Sequence, residues 1–274
     1  MLFLHGILGS GANWRTFAKQ LIAGRPDWGA VLVDLRLHGE SQQGFAAPHT
    51  IEAAAGDVAE LIPIIEKPGR GLVCGVLGHS FGGKVALELA RQRRQADRAL
   101  EHAFVVDSTP SARPDAKGSE STQHIVDLLT ELPTEFPDRA AFTAWMEQRG
   151  VARPIAMWLA MNVRPLRDLR ERVSCDPHDL PNTTRFVFRV DVAGIRELLA
   201  DYFRRDLWDL LERPLGAMQT HLVVGGRSGL VDEADRERAK RCPNTTLDVI
   251  PEADHWVHVD APDALRAIVL HYLS

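Results

Sequence analysis

Val76-Leu77-Gly78-His79-Ser80-Phe81-Gly82-Gly83-Lys84 sets a serine between two glycines, with an apolar run before it and a helical pattern after it. Leu72-Val73-Cys74-Gly75-Val76-Leu77 reads as a short, fully buried strand. Past the serine, Val85, Leu87, Leu89 and Ala90 lie among Lys84, Glu88, Arg91 and Arg93, which predicts an amphipathic helix. In that strand-to-helix context Gly78-x-Ser80-x-Gly82 is a nucleophile elbow. A sharp turn would hold Ser80 in a strained backbone conformation. Glycines two before and two after it would let strand and helix pass without a Cβ clash. The hydroxyl then projects from the sheet edge, beside a helix N-terminus that favours developing negative charge.

Working outward, Leu2-Phe3-Leu4 forms a short strand ending in His5-Gly6-Ile7-Leu8-Gly9. Asn13 is expected to cap a helix with Trp14, Phe17, Leu21 and Ile22 on one face. Ala30-Val31-Leu32-Val33-Asp34 is the next buried strand, and Thr50 caps a helix carrying Ile51, Ala54, Ala55, Val58, Leu61 and Ile62. Gly69-Arg70-Gly71 breaks the chain before the serine strand. His102-Ala103-Phe104-Val105-Val106-Asp107 is the strand after it. Later come the strands His221-Leu222-Val223-Val224-Gly225 and Thr246-Leu247-Asp248-Val249-Ile250, with helices near Glu233 to Arg241 and Pro262 to Leu273. Such alternation predicts an α/β fold: a mostly parallel central sheet with helices on both faces. Ligands in these sheets bind at the carboxyl ends of the strands.

Between Ser111 and Arg213 the alternation stops, and helix-like segments interrupted by prolines take over. They are Thr122 to Leu132, Arg139 to Arg149, Ile155 to Met161 and Ala193 to Phe203. The chain thus divides into 1–110, a mainly helical 111–213, and 214–274. Trp145, Met146, Met157, Trp158 and Met161 give the middle part an apolar, adaptable surface, read first as internal packing.

The 274 residues are 45% hydrophobic and 25% charged, which suits a globular chain with a full core. A formal charge of −5 gives no electrostatic reason to expect nucleic acid or an anionic membrane. The run Arg91-Gln92-Arg93-Arg94 reads as the solvated end of a helix. Cys74, Cys175 and Cys242 are too far apart for a disulfide framework or a zinc site, and Cys74 is expected in the core. Met1-Leu2-Phe3-Leu4 is too short for a signal peptide, and no run approaches a membrane span. A reducing, cytoplasmic setting is therefore the default. No residue cluster calls for a metal or other cofactor.

A serine hydroxyl needs a base to become a nucleophile at neutral pH, and imidazole has a suitable pKa. Of eleven histidines, His255 sits in a loop just past the last strand, in the order Ser…His that an elbow serine requires. His5 and His79 are expected to support the turns, His38 its own loop, and His258 to pack or bond backbone.

His5-Gly6, Asp34-x-Arg36-x-His38-Gly39-x-Ser41, Gly78-His79-Ser80-Phe81-Gly82-Gly83 and Ala253-Asp254-His255-Trp256-Val257-His258 together resemble the α/β-hydrolase superfamily. Gly83-Lys84 and His255-Trp256-Val257-His258 are most similar to small bacterial esterases and mitochondrial abhydrolase-domain proteins. The resemblance implies that 111–213 is a cap roofing the active site. It also implies a sheet without the two strands that usually precede the His-Gly strand. The Asp34-Arg36-His38 loop would be structural.

For the acid that orients His255, the resemblance offers two positions. The usual one, after the Leu222-Val223-Val224 strand, reads Gly225-Gly226-Arg227-Ser228, with Asp232 four residues beyond the serine and suited to a helix N-cap. The other is Asp107, at the end of the strand following the serine strand, and Ser228 and Val106-Asp107-x-x-Pro110 look like the esterase group that uses it. Asp107 is preferred and Asp232 stays the alternative. Ser228 and Trp256 are expected beside the reacting groups. The family's oxyanion hole maps onto the backbone N–H groups of Ile7 and Phe81. The implied activity is hydrolysis of carboxylic esters of small to medium apolar acyl groups through an acyl-enzyme. Thioesterase, lactonase, C–C hydrolase or cofactor-free perhydrolase chemistry, or a non-catalytic ligand receptor, remain alternatives on the same fold.

Overall fold

Among the described residues eight short strands carry the apolar runs: β1 (Leu2–Leu4), β2 (Val31–Val33), β3 (Gly75–His79), β4 (His102–Val106), β5 (Val163–Pro165), β6 (Phe186–Phe188), β7 (Gln219–Gly225) and β8 (Thr245–Ile250). In this computed structural model, which describes residues 1–69, 71–95, 99–116, 120–166, 185–214 and 216–274, six of them form one sheet in the order β2-β1-β3-β4-β7-β8. Every neighbouring pair in it is parallel, as right-handed strand–helix–strand units require.

The helices are α1 (Arg15–Gly24), α2 (Ile51–Ile65), α3 (Phe81–Gln95), α4 (Glu120–Thr130), α5 (Arg139–Glu147), α6 (Arg153–Leu159), α7 (Val192–Arg204), α8 (Trp208–Glu212), α9 (Glu233–Ala239), α10 (Val257–Asp260) and α11 (Pro262–Tyr272). Strand side chains alternate between faces. Leu2, Leu4, Val76 and Ala103 therefore meet α2 and α3, while Phe3, Leu77 and Phe104 meet α1 and α11. Between β4 and β7 the chain runs through α4 to α8. Among the described residues no helix is long and apolar enough to cross a membrane.

Several local expectations change. The serine strand begins at Gly75, because its neighbours pair only from Gly75↔His102 and Leu2↔Val76 onward. Leu72 is left 76% exposed, and Cys74 is half-buried rather than in the core. β2 is an edge strand, so Val31 and Leu32 are only partly buried. Asn13 is not the N-cap residue: Ser10 is, ahead of a 3-10 turn at Gly11–Trp14. Asn13 Oδ1 accepts from the Ser10 N–H at 2.7 Å as the third residue of that turn, and α1 follows directly. Thr50 does cap α2, with Oγ1 accepting from the Ala53 N–H at 3.1 Å.

The helix after the serine has no solvated face along its first half. Lys84 is 1% exposed and Glu88 0%, because α2 and α7 cover what the pattern left polar. Arg93 is likewise buried, paired with Glu66 at 3.3 Å. An antiparallel β5–β6 pair interrupts the stretch whose pattern predicts mainly helix. Arg70, Cys175 and the side chain of Arg94 lie outside the described residues.

Candidate active site

The serine turn is built from backbone constraints. Ser80 follows β3 directly with φ 53°, in the left-handed region that a non-glycine residue enters only when its surroundings force it. Its N–H donates to Val106 O at 3.0 Å, and its own carbonyl accepts from the Gly83 N–H at 2.8 Å. A Cβ on Gly78 would lie 2.0 Å from the Gly82 carbonyl oxygen, so strand and helix can cross only with glycine there. Phe81 opens α3, where the first N–H groups have no partner within the helix.

Asp107 leaves β4 in the same way, with φ 44° and its N–H on Val223 O at 2.8 Å. Its carboxylate is fully buried and accepts three hydrogen bonds. The Gly225 N–H donates to Oδ1 at 3.0 Å, the Ser228 hydroxyl to Oδ2 at 2.6 Å, and His255 Nδ1 to Oδ2 at 2.7 Å. A proton on Nδ1 leaves Nε2 of His255 as the free acceptor. The imidazole is 30% exposed, while the carboxylate behind it is sealed.

Asp232 is placed elsewhere. It caps α9, accepting from the Asp235 N–H at 2.9 Å, and pairs with Arg113 at 2.9 Å.

Neutral histidines support this edge. His5 Nε2 accepts from the Leu35 N–H at 3.0 Å, and its Nδ1 donates to Gly6 O at 2.8 Å. His38 Nε2 accepts from the Leu8 N–H at 2.9 Å, and its Nδ1 donates to Arg36 O at 2.8 Å. A backbone N–H can only donate and a carbonyl only accept, so each ring carries one proton, on Nδ1. Burial pushes the His5 pKa down to about 4 and that of His38 to about 3, the latter with help from His5. His79 Nε2 donates to the carbonyl of His255 at 2.8 Å, which fixes the backbone of the His255 loop. Burial, then the neighbouring His258 and His255, hold His79 well below the usual histidine range. His258 lies between Trp14 and His79, tilted against the first and edge-on to the second, with its pKa lowered by burial to about 4.

Asp34 belongs to the loop frame, accepting from the Gly11 N–H at 2.7 Å and the Glu40 N–H at 2.8 Å. Arg36 makes a two-point contact with Asp57, at 2.6 and 2.9 Å.

Ser80, His255, Ser228 and Trp256 all face one cavity of about 330 Å³, and Ile7 and Phe81 line the same space. Its opposite walls come from the α4–α7 segment: Ile125, Ile155, Trp158, Leu199, Tyr202 and Phe203. Trp158 meets Trp256 edge to face, with ring centroids 4.7 Å apart. Met157 and Met161 flank it at 57% and 54% exposed, whereas Met146 is fully buried.

Two residues of this region escaped the sequence reading. Asn162 Nδ2 donates to Leu8 O at 3.1 Å, tying the helical segment to the loop that carries Ile7. A lone asparagine in a segment without a motif gives no signal. Leu8 itself has φ 61°, which apolar β-propensity hides.

Residues 1–268 match the sequence model described as Alpha/beta hydrolase family. An abhydrolase domain-containing protein of Schizosaccharomyces pombe, C22H12.03, is 33% identical over all of this chain and 92% of its own length. The sn-1-specific diacylglycerol lipase ABHD11 of Mus musculus is 27% identical, covering all of this chain and 80% of itself. Among solved structures, a marine microorganism esterase superposes with a TM-score of 0.77 at 20% identity, over 99% of this chain and 94% of its own. The chain belongs to the alpha/beta hydrolase family.

Proposed function

Taking that membership as premise, we propose that the protein is a serine esterase that hydrolyses carboxylic esters of small to medium apolar acyl groups through an acyl-enzyme. The observation that carries this reading is the buried Asp107 carboxylate 2.7 Å from His255 Nδ1, with His255 Nε2 left free beside a left-handed Ser80 on a shared cavity. His255 takes the Ser80 proton as the hydroxyl attacks the ester carbonyl. Asp107 holds the imidazole tautomer and stabilises the imidazolium. The N–H groups of Ile7 and Phe81 receive the charge that builds on the carbonyl oxygen. His255 then protonates the leaving alcohol and activates the water that frees the enzyme.

Residues 111–213 act as the cap, and its apolar side chains receive the acyl group. A cavity of about 330 Å³ lies at the small end of ligand pockets, which supports short and medium acyl chains. Relatives named as a lipase and an esterase fit this chemistry.

Hydrolysis of p-nitrophenyl esters from acetate to decanoate tests the reading, with Ser80→Ala, Asp107→Asn and Asp232→Asn beside wild type. The expected result is a mid-length optimum that the first two variants abolish and the third retains. A dead Asp232→Asn beside an active Asp107→Asn would move the acid. No turnover of any ester by folded wild type would reject the esterase.

A further inference from the structure

Lys84 sits one helical turn beyond Ser80, in α3, and is 1% exposed. Its three ammonium protons have three carbonyl acceptors: Ser111 O at 2.8 Å, Tyr202 O at 2.7 Å and Arg205 O at 2.6 Å. The last carbonyls of a helix lack partners within it, and the helix dipole makes that end negative. Tyr202 and Arg205 stand at that end of α7, so Lys84 is its cap, supplied from another helix. Nζ also lies 4.6 Å from the centre of the Tyr202 ring.

The third acceptor is equally fixed. Ser111 Oγ donates to Asp235 at 2.6 Å and accepts from Trp208 Nε1 at 2.7 Å. Ser111 opens the proposed cap and Arg205 stands near its end. One ammonium therefore joins both roots of the cap to the helix that starts at the nucleophile.

Leu199, Tyr202 and Phe203, the last turns of α7, face the cavity, while Lys84 does not. We propose that Lys84 is a positioning residue: by capping α7 it fixes the cavity wall made by Leu199, Tyr202 and Phe203, and so sets acyl-chain selectivity without touching substrate. Burial lowers the Lys84 pKa to about 7; Asp206, Asp201 and Asp235 oppose that shift, and Arg113 adds to it. Above that pH the neutral amine keeps two protons for three carbonyls.

The inference rests on the esterase reading for its assay. The experiment compares kcat/KM on p-nitrophenyl acetate and decanoate for wild type, Lys84→Met and Lys84→Arg. Lys84→Met should lower the decanoate-to-acetate ratio by about fivefold or more through KM, with kcat on acetate little changed. Lys84→Arg should recover part of the ratio. An unchanged ratio, or equal losses on both esters, overturns the proposal.

Should Lys84→Met fail to fold, the wild-type ratio from pH 6 to pH 9 decides. Any pH effect on the chemical step is common to both esters and cancels in the ratio; a falling ratio supports the clamp and a flat one overturns it. A wild type inactive on both esters removes the esterase reading alone. Amide exchange across residues 199–205 then judges Lys84, supporting the clamp if Lys84→Arg speeds it and overturning it if not.

Discussion

The carboxyl edge of the sheet and the helical segment above it line the same cavity but are held by different means. At the edge, backbone groups and buried polar side chains satisfy one another at fixed distances: Ser80 on Val106, Asp107 on Val223, His5 on Leu35, His38 on Leu8, His79 on His255. The wall is mainly apolar packing, joined to the edge through Asn162, the Lys84 clamp and the Asp201 carboxylate that accepts from the Ile51 N–H at 2.8 Å. Directional bonds tolerate errors of tenths of an ångström, whereas apolar side chains of similar volume can replace one another. The edge is therefore suited to chemistry and the wall to selectivity. Edge variants should change kcat for every ester, and wall variants should change KM in a chain-length-dependent way.

The largest break is expected at Asp107. Asp107→Asn removes the carboxylate that faces Nδ1 of the His255 ring and should lower kcat by about 10³- to 10⁴-fold on all esters alike. Asp232→Asn keeps a good N-cap and weakens a half-buried pair with Arg113, which retains Asp235 as partner, so its cost should be about 0.5–1 kcal/mol of stability in urea. A chain-length-dependent loss in Asp107→Asn would dissolve the contrast.

Next in size is acid sensitivity of the edge. The pKa values of His5, His38 and His258 are pushed below the ordinary 6.5, to about 4, 3 and 4, by burial. Between pH 6.5 and 4 the unfolded chain binds protons that the folded one refuses. Stability should therefore be full above pH 6.5 and fall as pH drops, by about 2 kcal/mol per histidine at pH 5. Urea midpoints at pH 8 and pH 5 measure it; equal midpoints would mean that these rings accept protons in place.

A smaller effect belongs to the wall. Trp158→Ala removes an aromatic face from the cavity and its edge-to-face contact with Trp256. KM for octanoate should rise by about tenfold, with acetate kcat held within about twofold. A kcat loss on acetate as large as on octanoate would make Trp158 part of the edge.

Asn162→Ala should have the least effect. It deletes one hydrogen bond to Leu8 O, worth about 1 kcal/mol, and should lower kcat/KM by about threefold to fivefold on all esters. A chain-length-dependent loss would place Asn162 with the wall.

The same division governs what the sequence makes legible. Gly78 and Gly82 announce the elbow because only glycine fits where a Cβ would lie 2.0 and 2.6 Å from carbonyl oxygens. Apolar runs marked every strand of the main sheet, although β3 begins three residues late because its neighbours are short. The choice between Asp107 and Asp232 was not decidable from spacing, since both follow strands and both suit turns. Only the pairing β3-β4-β7 brings Asp107 and Ser228 together from 121 residues apart.

In the wall the signal runs out. Lys84 and Glu88 made α3 look half-solvated, because a helix pattern records which residues are polar and not what covers them. The β5–β6 pair, three residues a side, is too short for a periodic signal. Ile125, Ile155, Leu199 and Phe203 converge on one cavity from three helices, and nothing in their spacing distinguishes them from packing residues.

The most direct test of the central claim is labelling with a fluorophosphonate, followed by intact mass and peptide mapping, in wild type and Ser80→Ala. The account predicts one adduct per chain on Ser80, made slow by Asp107→Asn and absent from folded Ser80→Ala. Folded wild type that takes no adduct, or takes it on another residue, would contradict it.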